Sequence, residues 1–97
     1  MGKIYVGQSK LRLQLNTGVT IESGDVLWIK YCKPGSSSVE VFVAEELGTP
    51  AGAIYYDFDI GDLDTAGIWK FWAYIIFNDG REAPGESISI RIYNEGN

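Results

Sequence analysis

The sequence predicts an all-β sandwich, and three observations predict it. Apolar and polar residues alternate with a period of two along most of the chain, and no stretch carries a helical stripe of useful length. Clusters of Gly, Pro, Asn, Asp and Ser interrupt these runs at intervals of about a dozen residues, as turns do between short strands. Hydrophobic residues make up 45% of the 97, with three Trp, six Tyr and four Phe, which is enough for a core without staples. A chain of this length buries only roughly 60–65% of its unfolded surface, so every large apolar side chain counts toward stability. About seven short antiparallel strands suit two packed sheets; a small barrel is the alternative architecture.

The segment IYV (4–6) predicts a short edge strand ending at Gly7. KLRLQLN (10–16) sets Leu11, Leu13 and Leu15 on one face and Arg12 and Gln14 on the other, the pattern of a half-buried strand. Asn16, Thr17 and Gly18 break it, and a polar loop runs on to Asp25. In DVLWIKYC (25–32) Lys30 marks the solvent side, which turns Leu27, Ile29 and Tyr31 inward and Trp28 and Cys32 outward. Pro34, Gly35 and the serines after them make the next turn. SVEVFVAE (38–45) places Val39, Val41 and Val43 together opposite Glu40, and AIYYDFD (53–59) aligns Ile54, Tyr56 and Phe58. The long run GIWKFWAYIIF (67–77) takes its parity from Lys70: Trp69, Phe71, Ala73, Ile75 and Phe77 face in, while Trp72, Tyr74 and Ile76 face out. NDGR (78–81) is a tight-turn signal, since Asn, Asp and Gly tolerate positive φ. ESISIRIY (86–93) alternates Ile88, Ile90 and Ile92 with Ser87, Ser89 and Arg91 before the polar tail NEGN, which is expected to fray. Leu13, Leu27, Ile29, Trp69 and Phe71 are the predicted core.

One local pattern narrows the architecture. DLDTAGIW (62–69) joins an Asp-bearing turn to Gly67 and then to an aromatic at the start of the longest strand. Immunoglobulin-like domains carry a similar D-x-G-x-Y signal at a strand corner, where the aromatic locks the bend. Here Trp69 takes the place of the Tyr, and Phe71 stands where a disulfide cysteine would be. Trp has no hydroxyl, so a corner hydrogen bond has to come from its indole N–H. Trp28 also departs from the antibody pattern, because parity points it outward where the antibody-type Trp is buried.

Beyond the corner, YVGQ near the start, LNTGVTI (15–21), LWIKYCKPG (27–35), GDLDTAGIW (61–69) and AYIIFNDGREAPGESISIRIY (73–93) keep their order along nearly the whole chain. Together they resemble the small immunoglobulin-like proteins of tailed bacteriophages and prophages, related to tail and baseplate immunoglobulin-like domains. The resemblance implies one immunoglobulin-like β-sandwich domain over 1–97 with a structural or host-attachment role in the virion. It implies no catalytic residues and no cofactor.

Composition excludes several kinds of chemistry. The chain has no histidine, which removes Ser-His-Asp and Cys-His catalysis and His-based metal sites. Cys32 is the only cysteine, so no disulfide forms within the chain. No phosphate-cradling glycine motif is present. Eight Lys and Arg against thirteen Asp and Glu give a net charge of −5, which disfavours nucleic acid as a partner. The N-terminus MGKIYVGQSK has no apolar stretch of the secretory kind, and FWAYIIF (71–77) is too short to cross a bilayer as a helix. The expectation is synthesis in the bacterial cytoplasm without a signal peptide, no membrane insertion, and the virion as destination. Asp57, Asp59, Asp62 and Asp64 are the weak candidates for a calcium site, but their spacing does not match an EF-hand, and solvated caps are the expectation.

What is left is a sheet face. In an immunoglobulin-like topology the strands at 25–32, 67–77 and 86–93 share one sheet. Parity then displays Trp28 and Lys30 from the first strand on its outer side. Lys70, Trp72, Tyr74 and Ile76 come from the second, and Arg91 and Tyr93 from the third. Aromatics beside Lys and Arg are the composition of a binding hot spot. Two readings stay open: a protein interface, by self-association or by docking to virion proteins, and a carbohydrate or host-surface site where rings stack on sugars. A terminus or loop folded over the face is the alternative to both.

Overall fold

The computed structural model describes residues 3–48 and 51–94, and every regular element among them is a β-strand. Nine strands form: β1 (Ile4–Tyr5), β2 (Arg12–Asn16), β3 (Val26–Cys32), β4 (Glu40–Val43), β5 (Glu45–Glu46), β6 (Ala53–Asp57), β7 (Gly67–Ile76), β8 (Glu82–Pro84) and β9 (Ile88–Tyr93). The larger sheet runs β1-β9-β7-β3-β4, with β8 also paired to β7, and the smaller runs β2-β6-β5. Their apolar faces close on one another in a two-layer β-sandwich. Residues 49–50, in the expected turn before β6, and 95–97, most of the expected frayed tail, lie outside the described residues.

The core is the set of side chains that alternation points inward. From the smaller sheet come Leu13, Leu15 and Ile54; from the larger come Leu27, Ile29, Trp69, Phe71 and Ile75, all buried. Tyr31 stacks on Phe42 at 4.2 Å between ring centroids, and Phe42 stacks on Tyr56 at 4.2 Å across the two layers. Leu63, buried in the loop before β7, plugs the end of the sandwich, and its carbonyl accepts from the Gly7 N–H at 2.7 Å. At the opposite end the Asp25 carboxylate accepts from the N–H groups of Glu22 and Asn78, both at 2.9 Å, pinning the β2–β3 loop to the NDGR turn.

The structure corrects two expectations and settles two sides that alternation left open. The strands are nine rather than about seven, because β5 and β8 are too short for alternation to mark them. They are not all antiparallel: β1 pairs with β9 in parallel, Ile4 beside Ile92 and Tyr5 beside Tyr93. The valine face of β4, whose side alternation alone left open, turns outward, leaving Val39, Val41 and Val43 exposed while Phe42 and Ala44 are buried. Glu40 shares the inward side with Phe42 but lies at the strand's open end, where its carboxylate reaches water. Finally, Ile88 faces inward yet is 39% exposed, because the smaller sheet stops at β2 and does not reach over β9. An apolar groove of about 440 Å³ is left there, with Leu13, Phe58, Ile88 and Ile90 among its walls.

Candidate functional site

The outer face of the larger sheet is built by register. In β3 and β7 the buried residues alternate with half-buried or exposed ones, so Trp28, Lys30 and Cys32 share a face with Ile68, Lys70, Trp72, Tyr74 and Ile76. Trp28 lies directly opposite Tyr74, Lys30 opposite Trp72, and Cys32 opposite Lys70. Side chains directly opposite one another in a sheet stand about 4.5–5.5 Å apart at Cβ, close enough for large rings to meet. Trp28 and Tyr74 do so, stacked at 6.1 Å with 22° between their planes. The Lys30 ammonium sits 3.6 Å from the Tyr74 ring centroid and 6.0 Å from that of Trp28, a cation–π contact that fixes the lysine against the rings. The Tyr74 hydroxyl donates to the Glu82 carboxylate, which pushes the phenol pKa up.

All eight residues expected on this face lie on it, and the structure divides them. Trp28, Lys30, Trp72 and Tyr74 form one cluster on β3 and β7. Ile76 lies at its end, between Val26 and Glu82. Lys70 and Arg91 lie beyond the cluster, opposite Ser89 and the exposed Ile68 respectively. The sequence reading missed Val41 and Val43, which pair with Lys30 and Trp28 and extend the apolar surface to the sheet edge. Val43 is 71% exposed. The bulk of Phe42 beside small valines was the available signal, since one large ring fills a core better than two short side chains. Also missed were Tyr5 and Lys3 at the far edge: Tyr5 packs on Tyr93 at 6.4 Å, and the Lys3 ammonium is 4.8 Å from the Tyr93 ring.

The four acidic candidates are not brought together. Asp57 is held by Arg12 through two bonds of 2.7 and 3.1 Å, which keeps its carboxyl below the usual range. Asp62 accepts from the Tyr56 hydroxyl and from the Asp59 N–H, both at 2.7 Å. Burial, aided by that bond to Asp62, pushes the Tyr56 phenol well up. Asp64 accepts from the Lys33 ammonium at 2.9 Å and from the Thr65 hydroxyl at 3.0 Å. Among the described residues no three His, Cys, Asp or Glu side chains are placed to share a metal ion.

The Lys33–Asp64 pair ties the end of β3 to the loop before β7, and its bond to Lys33 lowers the Asp64 pKa. A depressed folded-state pKa stabilises the fold above the ordinary Asp value of about 3.9 and is lost as pH falls through the folded value. The melting temperature of the wild type is therefore expected to fall more steeply with acid below about pH 4 than that of Asp64→Asn. At neutral pH the two should differ by no more than about 1 kcal/mol, because the pair is half exposed. Equal acid slopes in thermal melts would show that the pair contributes nothing.

No family model, curated protein or solved structure matches this chain.

Proposed function

We propose that this chain is a non-enzymatic, immunoglobulin-like interaction module of the kind found in bacteriophage and prophage virions, and that it docks to another virion protein through the outer face of its larger sheet. The observation that carries the reading is the cluster of Trp28, Tyr74 and Trp72 set beside exposed Val41 and Val43. Aromatic anchors in an apolar surround with cations nearby are what protein hot spots are made of.

The immunoglobulin-like part of the reading has its own support. A parallel first strand, the division of strands between the sheets, and a corner locked by an aromatic all agree with that topology. Trp69 donates its indole N–H to the Thr65 carbonyl at 2.8 Å, doing at this corner what a Tyr hydroxyl does in antibody domains. The virion context rests on the resemblance of the sequence motifs.

Ring geometry favours a protein partner over a glycan. Sugars stack on open ring faces, whereas Trp28 and Tyr74 stack on each other and Lys30 lies over Tyr74. Valines add contact area for an apolar protein surface and offer a sugar no hydrogen bonds.

The test is association with particles. Wild-type protein should co-purify with virions or tails induced from the bacterium that encodes it, detected by mass spectrometry. The double variant Val43→Asp/Trp72→Ala should fold and be lost from them. Wild type absent from purified particles would reject the virion role, and retention of the double variant would reject this face.

A further inference from the structure

The register of the larger sheet lines up its cations. Lys30 on β3 faces Trp72 on β7, two residues from Lys70; Lys70 faces Ser89 on β9, two residues from Arg91. Each cation is thus one strand over and two residues along from the last, a diagonal with steps of about 7–8 Å. Lys3, just before β1, falls level with Arg91 in that strand's register and brings its ammonium over the Tyr93 ring. These four are half of the eight Lys and Arg in a chain that also carries thirteen Asp and Glu. Among the described residues the ion pairs are Arg12–Asp57, Lys33–Asp64 and Arg81–Asp79, so none of the four is neutralised by a carboxylate. The strands of this sheet turn one carboxylate to that side, Glu82, and it is bound to the Tyr74 hydroxyl.

An acidic chain that gathers unpaired cations on one face presents a charge pattern with a definite complement. Two copies meeting through this face would set four cations against four, an arrangement that like-charge repulsion disfavours. The complement is anionic, and its centre is apolar, because Val41, Val43 and Trp28 flank the upper end of the diagonal. Resting on the reading of this face as the interface, we propose that its partner is an acidic surface of a different protein chain. Apolar side chains of that partner seat on Val41, Val43 and Trp28, and its carboxylates follow Lys30, Lys70 and Arg91. A nucleic acid or an acidic polysaccharide would match the cations but leave the valine edge unused.

The experiment titrates the full chain with a short synthetic peptide of Glu and Leu residues, with its Gln-for-Glu counterpart, with oligouridylate and with polygalacturonate. The indole N–H signals of Trp28 and Trp72 are followed by NMR. The Glu/Leu peptide should move both indoles, its effect should fade with added salt, and the Gln counterpart should bind roughly tenfold more weakly or worse. The triple variant Lys30→Glu/Lys70→Glu/Arg91→Glu should lose the response by a similar factor while keeping the wild-type melting temperature to within a few degrees. If the Gln counterpart binds as tightly and moves the same indoles, the face docks protein but the anionic partner is wrong. If oligouridylate or polygalacturonate binds as tightly as the peptide, the protein partner is wrong. If no probe moves either indole, both the partner and the face fall. A concentration-dependent dimer in sedimentation that the triple variant does not form would replace the different chain with a second copy.

Discussion

Replacing Trp69 with alanine is expected to remove most of the stability of this protein. The ring is fully buried and stacks on Phe71 at 5.9 Å and on Tyr31 at 5.7 Å, so truncation leaves a cavity at the centre of the aromatic core. Such changes cost about 3–5 kcal/mol. A domain of this size has roughly 5–15 kcal/mol in total, so the variant should melt at least about 12 °C below wild type or fail to fold. Two interactions are lost together, and a second variant separates them. Trp69→Phe keeps most of the apolar ring but removes the N–H that satisfies the Thr65 carbonyl at 2.8 Å. Thr65 is half-buried, so losing that bond costs about 0.5–1.5 kcal/mol, and Trp69→Phe should fall between wild type and Trp69→Ala. If Trp69→Ala melts within a few degrees of wild type, the corner does not carry the load argued for it.

That corner was legible in the sequence, and the reason is physical. Placing Trp69 after an Asp-bearing turn left one donor for the corner bond, the indole N–H, and the structure uses it. The inward residues of β3 and β7 were legible for a similar reason. Lys30 and Lys70 have to reach water, and a period of two then assigns every neighbour to a side. Leu13, Leu27, Ile29, Trp69 and Phe71 are all buried as that parity requires. The same logic would mislead at β4, because Glu40 lies at a strand end, where an inward-pointing carboxylate still finds solvent. A charged residue marks a face only where the sheet continues on both sides of it.

The candidate face was legible in its members but not in its pattern. Alternation within single strands put Trp28, Trp72 and Tyr74 on the outside. Which of them touch depends on register between strands, and a slip of one residue would send a whole strand to the other face. The Trp28–Tyr74 stack and the Lys30 contact follow from pairing residues more than forty positions apart, and the diagonal of cations needs the β7–β9 register as well. Nothing local encodes that pairing. The parallel approach of β1 to β9 is the extreme case, joining the two ends of the described chain through two residue pairs. Single-strand periodicity has no access to it.

Gly52→Ala is the second change expected to be severe, and its cause lies in the backbone. Gly52 is buried just before β6 with φ of +85°, a region that costs a residue with a Cβ roughly 1–2 kcal/mol. Space makes matters worse there. An added Cβ would stand 2.5 Å from the Val19 carbonyl oxygen and 3.1 Å from the Thr17 hydroxyl. Neither can yield freely, because the Gly52 carbonyl accepts from the Thr17 N–H at 2.9 Å and from the Thr17 hydroxyl at 2.7 Å, holding the end of β2 against the start of β6. Relieving the contact therefore means breaking the last rung between these strands, adding about 1–3 kcal/mol to the strain. Gly35→Ala supplies the control: its φ of +73° carries the same backbone penalty, but an added Cβ meets nothing within 4 Å. In denaturant titrations Gly35→Ala should lose about 1–2 kcal/mol, the conformational cost alone. Gly52→Ala should lose about 2–5 kcal/mol. Equal losses at the two sites would mean that the loop after β2 moves aside at no cost and is not locked to β6 by its hydrogen bonds.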